Sequence, residues 1–96
     1  MRLVGKQKLE KLKRKKKGEK TLTENIDRLI ADIESGSFKD PIELKGVRPD
    51  ADCVHSDGFY FFNIDQDRTM IMIEFDDQEA TVVWVGNHKE YTSIFK

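Results

Sequence analysis

Apolar positions change their spacing along the chain. Between residues 6 and 33 they recur every three or four places, and from residue 59 to 85 they crowd into β-branched and aromatic runs separated by short acidic turns. The first spacing is that of helices with one buried stripe, and the second is that of strands. Leu9 and Leu12 give the segment from Lys6 to Lys17 a narrow stripe, with Leu3 or Val4 as further contacts. Before it, residues 1–4 read as a short edge strand or an extended lead-in, turned by Gly5; Gly18 ends the helix. A second helix has the stronger pattern: Leu22, Ile26, Leu29, Ile30 and Ile33 share one face, Thr21 and Glu24 have capping-box spacing, and Ser35-Gly36 closes it. Gly36 suits the left-handed conformation just past a helix end.

Residues 37–50 form a connector marked by Pro41, Gly46 and Pro49, with Phe38, Ile42, Leu44 and Val47 expected to tuck against the body. A short strand is expected from Ala51 to Val54, followed by a reversal at His55-Ser56-Asp57-Gly58. Three strands follow, from Phe59 to Ile64, Thr69 to Phe75 and Ala80 to Val85, joined by the turns Asp65-Gln66-Asp67 and Asp76-Asp77-Gln78. Connections this short make the strands antiparallel neighbours. In the middle strand Ile71, Ile73 and Phe75 alternate with Met70, Met72 and Glu74, so one face is apolar and the other, with Arg68, is mixed. The last strand breaks at Gly86 into the polar group Asn87-His88-Lys89-Glu90-Tyr91. The expected fold class is α+β: a small antiparallel sheet of about four strands covered on one face by two N-terminal helices, in a single domain over residues 1–96.

Charge changes this picture more than composition does. Residues 1–20 carry ten Lys/Arg against two Glu, a net of +8, and residues 21–96 carry seven against sixteen, a net of −9, which sum to the overall −1. A basic arm is joined to an acidic body, and so dense a single-signed segment attracts phosphates or an acidic partner. Lys8, Lys13, Arg14, Lys15, Lys16 and Lys17, with Lys89 at the other end of the chain, are the candidate contacts to a polyanion.

Several chemistries find no support. One cysteine, Cys53, allows neither an internal disulfide nor a cysteine-based zinc cluster. Asp65-Gln66-Asp67 begins like a calcium loop but lacks its glycine and distal glutamate, so no metal is expected. No glycine-rich phosphate loop or serine nucleophile elbow is present, and no small-molecule cofactor is implied. No apolar run approaches the roughly 20 residues of a membrane helix, and no apolar segment of a signal peptide follows the basic start, so a cytoplasmic location is expected.

The order of elements, with Phe61-Phe62-Asn63-Ile64, Pro49-Asp50-Ala51-Asp52 and Trp84-Val85-Gly86-Asn87-His88-Lys89-Glu90-Tyr91, resembles the HigB branch of the RelE-like toxins of bacterial toxin-antitoxin systems. Those strands are like the Val-Phe-Asn-Ile and Phe-Val-Gly-Thr-His-x-Glu-Tyr segments of that family. The resemblance implies an endoribonuclease that cuts messenger RNA on the ribosome, neutralised by a cognate antitoxin. In such a reaction a ribose 2′-OH attacks the adjacent phosphate, which requires proton transfer and a cation for the phosphorane. The resemblance assigns proton transfer to His88, since imidazole ordinarily titrates near about 6.5. It assigns the phosphate to Arg68, and orientation, hydrogen bonding or base stacking to Tyr91. One departure stands out: where the family carries a basic stretch between two strands, Asp65 and Asp67 flank Arg68 here. Negative charge beside an RNA site repels substrate. A catalytically weak or inactive binding module on the same fold, acting through protein or RNA, is therefore the alternative.

Overall fold

The computed structural model describes residues 1–55 and 58–95, in the order β1 (Arg2–Val4), α1 (Gln7–Lys15), α2 (Lys20–Ser35), α3 (Pro41–Val47), β2 (Asp52–His55), β3 (Phe59–Ile64), β4 (Asp67–Glu74), β5 (Glu79–Asn87) and α4 (His88–Phe95). The fold is α+β. The expected reversal at residues 55–58 includes Ser56 and Asp57, which lie outside the described residues. Among the described residues no helix is long and apolar enough to cross a membrane.

Five strands form one sheet in the order β1-β5-β4-β3-β2. This corrects the expectation of about four antiparallel strands, because β1 lies parallel to β5 with Leu3 opposite Ala80. The helices between β1 and the other strands let the chain recross the sheet, so the N-terminal strand occupies the free edge of β5. Gly5 makes the turn into α1 at φ +79°, and a Cβ there would press on the Val82 carbonyl at 3.2 Å.

The core lies between the sheet and α1, α2 and α3. Leu9, Leu22, Ile26, Leu29, Ile33 and Leu44 meet Tyr60, Phe62, Ile64, Ile71, Ile73, Ala80 and Val82 in one cluster. Burial, with Cys53 opposite on β2, pushes the Tyr60 hydroxyl above its ordinary pKa, so it remains the neutral phenol.

Several local expectations are corrected. The connector contains a helix, α3, capped by Asp40, whose carboxylate accepts from Glu43 N at 3.0 Å, with Pro41 in its first turn. Ile42 and Val47 are exposed rather than tucked in. Helix α2 begins at Lys20, which puts Thr21 inside it, so no Thr21–Glu24 capping box forms. Gly36 is extended, at φ −94°, and not left-handed. Its task is steric: a Cβ would meet the Phe38 ring at 2.3 Å. Gln78 then clamps that bend, donating to Phe38 O at 2.5 Å and Phe75 O at 2.7 Å and accepting from Phe38 N at 3.1 Å.

Arg48 is the charged anchor of the connector. Its guanidinium is about 10% exposed and binds Asp50 at 2.7 Å, Asp32 at 3.4 Å and Asn63 O at 3.3 Å, and lies 5.8 Å from the Phe62 ring centre. Asp50 in turn accepts from Asn63 N at 3.0 Å, tying the connector to β3. Removing one member of such a network leaves the others desolvated without compensation. Arg48→Ala is expected to destabilise the fold by about 2–3 kcal/mol, discounted for the partial exposure of the two aspartates. Urea denaturation followed by circular dichroism would check this.

Candidate active site

The face of the sheet away from the core holds the candidate residues. On β3 and β4, pleating gives successive rows on this face: Phe61 opposite Met70, and Asn63 opposite Arg68. The burial pattern of β4 alternates as the sequence predicts, with Arg68, Met70 and Met72 all on this more open face.

On β5 the alternation is interrupted. Met70 pairs with Trp84 but Ile71 pairs with Val82, leaving Val83 as the extra residue of a bulge. A bulge reverses which side chains face which way beyond it. Val82 therefore points into the core and Trp84 points to the opposite face, where its indole meets Phe61 edge-on at 6.1 Å. Gly86, expected to end the strand, instead lies within it, in the row of Asn63 and Arg68. The indole leans along its own strand over Gly86, and a Cβ there would lie 2.4 Å from Trp84 Cζ2. Glycine at 86 is thus required for space next to Arg68.

His88 and Tyr91 are carried by α4, not by an irregular polar tail. The helix starts with a reciprocal capping box: Glu90 N donates to Asn87 Oδ1 at 2.8 Å, and Asn87 N donates to Glu90 Oε1 at 3.3 Å. With its entry fixed, the helix crosses back over the open face. The Tyr91 ring lies 4.9 Å from the Phe61 ring and stacks against the His88 imidazole at 5.9 Å and 16°. The Arg68 guanidinium lies over the same Tyr91 ring at 4.6 Å. Tyr91 therefore touches both other candidate residues, and Arg68, His88 and Tyr91 form one group.

Arg68 and His88 open into a cleft of about 710 Å³ at this end of the sheet, which Asn63, Gln66, Asn87 and Lys89 also line. Lys16, Glu19 and Leu22, from the α1–α2 corner, form its other wall. The hairpin beneath has a two-residue turn, Asp65-Gln66, with Asp65 at φ +64°, a conformation aspartate tolerates better than most residues. Asp67, expected in the turn, is instead the first residue of β4, paired in register with Ile64 and Asn87. Its side chain is 5% exposed and accepts from Lys16 Nζ at 3.3 Å.

The seven candidate RNA-contacting cations separate into groups. Lys16 and Lys89 line the cleft. Lys13, Arg14 and Lys17 line a second groove of about 400 Å³ with Thr23, and there Lys13 is paired with Asp27 at 2.5 Å. Lys8 and Lys15 are exposed on α1, outside both grooves. The cleft itself carries Lys16, Arg68 and Lys89 against Glu19, Asp65 and Asp67, three formal charges of each sign. Asn63, Asn87 and the Lys16–Asp67 pair are cleft features that sequence reasoning missed; only the Asn87-x-x-Glu90 spacing signals any of them locally. No cluster of three or more His, Cys, Asp or Glu able to hold a metal occurs among the described residues.

Arranged this way, the group offers a guanidinium for an anion, an imidazole at the cleft mouth for proton transfer and an aromatic ring between them. A family model, HigB_toxin, described as the RelE-like toxic component of a toxin-antitoxin system, matches residues 22–94, from the start of α2 into α4. No match to a curated protein accompanies it. The matched stretch contains Arg68, His88 and Tyr91, whereas β1 and α1 lie before it. The chain belongs to the HigB_toxin family, the RelE-like toxic components of toxin-antitoxin systems, and a cognate antitoxin is its implied partner.

Proposed function

We propose that this toxin is a metal-independent endoribonuclease that cuts messenger RNA on the ribosome, in the cytoplasm, with Arg68, His88 and Tyr91 as its working residues. The observation that carries the reading is that Arg68 and His88, which both line one cleft, lie against a single ring, Tyr91. The ribose 2′-oxygen attacks phosphorus, the bond from phosphorus to the 5′-oxygen breaks, and a 2′,3′-cyclic phosphate and a 5′-hydroxyl remain. Because the nucleophile belongs to the RNA, the protein has to position the phosphate, neutralise the charge that develops and move protons. Arg68 supplies charge to the non-bridging oxygens through two parallel N–H donors. His88 exchanges a proton with the 2′-oxygen or the departing 5′-oxygen. Tyr91 holds both groups in register and gives a base a surface on which to stack.

Purified protein stripped of metal by EDTA and then freed of the chelator should cut a defined message on programmed ribosomes at the same rate as untreated protein, leaving a cyclic phosphate. A single 2′-deoxy substitution at the cleaved nucleotide should abolish the cut. Cleavage of the deoxy substrate, or loss of activity after the protein alone is stripped of metal, would exclude this mechanism. The balanced charge of the cleft favours a second reading, a non-cleaving binding module. Growth arrest on induction with cellular RNA left intact would select it.

A further inference from the structure

We propose that Lys16 is a positioning residue of the cleft: it acts as the fixed counter-ion of Asp67 and does not itself bind RNA. The inference rests on the cleavage reading above. It starts from a carboxylate in an unusual place. Asp67 is almost fully buried, it immediately precedes Arg68, and it sits in register between Ile64 and Asn87, next to the cap residue of α4. A charge taken out of water this far requires a partner. Among the described residues its ion-pair partner is Lys16 Nζ, at 3.3 Å.

Lys16 lies 51 positions away in the chain, at the end of a helix outside the stretch that matches the family. The basic arm thus has one member committed to the site rather than to solvent. Its effect follows from the charges around the cleft. With Lys16 in place the lining is neutral, three cations against three carboxylates; without it the lining carries a net −1. That negative charge would come from Asp67, buried where solvent screens it poorly, against an incoming phosphate. The acidic residues flanking Arg68 are therefore not equivalent: Asp67 is neutralised from α1, and Asp65 is left exposed in the turn.

Four proteins test this: wild type, Lys16→Met, Asp67→Asn and the double variant. The counter-ion role predicts that Lys16→Met raises KM for cleavage of a defined message on programmed ribosomes by about tenfold, with kcat within about threefold. The double variant should return KM to within about twofold of wild type, since it removes both charges together. Binding to a single-stranded RNA oligonucleotide should show the same dependence on salt in the double variant as in wild type. A lysine that binds phosphate directly would leave the double variant as impaired as Lys16→Met, with its salt slope reduced by about 1, and that outcome overturns the proposal. Should Lys16→Met fail to fold, the double variant alone decides: a KM within about twofold of wild type with the same salt slope supports the counter-ion role, and a raised KM with the slope reduced by about 1 overturns it. If wild type cuts no RNA, the cleavage reading falls and takes this inference with it. A failure of the inference alone shows in the double variant, with wild type active.

Discussion

Replacing Arg68 with alanine is expected to slow RNA cleavage by about 10²- to 10³-fold, the usual cost of removing one group that stabilises charge developing in a transition state. The loss should fall on kcat, measured in single turnover, because the guanidinium interacts most strongly once the phosphorane carries its extra charge. Stability should change little. Arg68 contributes a cation–π contact to Tyr91 at 4.6 Å, which is worth about 0.5–1 kcal/mol at an exposed site. Arg68→Lys retains the charge but not the planar pair of donors and should recover only part of the rate. A full rate in Arg68→Ala would remove it from the site. An equal fall in rate and in melting temperature would make its role structural.

The second large effect is expected at His88. His88→Gln preserves size and hydrogen bonding but cannot carry a proton, and should cost about 10²- to 10⁴-fold in cleavage rate. Its fold should persist, because α4 is started by Asn87 and Glu90 and not by the imidazole. A substrate in which sulfur replaces the 5′-oxygen separates the two possible roles. Sulfur departs without needing a proton, so a defect in the general acid disappears on that substrate and a defect in the general base remains. Equal cleavage of the ordinary substrate by His88→Gln and wild type would exclude both roles.

How far the sequence foretells this molecule depends on the range of the interaction involved. The stripes of α1 and α2 and the alternating faces of β4 are set by neighbours a few positions apart, and Leu9, Leu22, Ile26, Leu29 and Ile33 are buried as their spacing predicts. Arg68 and His88 lie against the ring of Tyr91 although they come from distant strand and helix positions. Helix α3 escapes notice because it is short and buries only Leu44, leaving Ile42 82% exposed, so it has no stripe. Its Asp40-Pro41-x-Glu43 start was the available signal. Thr21 to Glu24 and Asn87 to Glu90 both have capping-box spacing, and of these two only the second forms the box. The difference lies in the boundary: α2 has already begun at Lys20 when Thr21 arrives. The bulge at Val83 has no marker within β5, yet it decides that Trp84 faces the site and not the core. The pairing of Leu3 with Ala80 and the ion pair of Lys16 with Asp67 join distant segments, and local periodicity carries no record of either.

The parallel pairing of β1 with β5 also bears on the order in which the toxin is made. Strand β1 has no partner until Glu79–Asn87 emerges, and β4 lacks one of its two neighbours until the same moment. His88 and Tyr91 follow later still, on α4. Contacts between distant segments form only after the chain between them is available to close. Arg68 and the basic helix are therefore made before β5 and α4 complete the cleft around them, and the cleft forms only once those last elements have emerged.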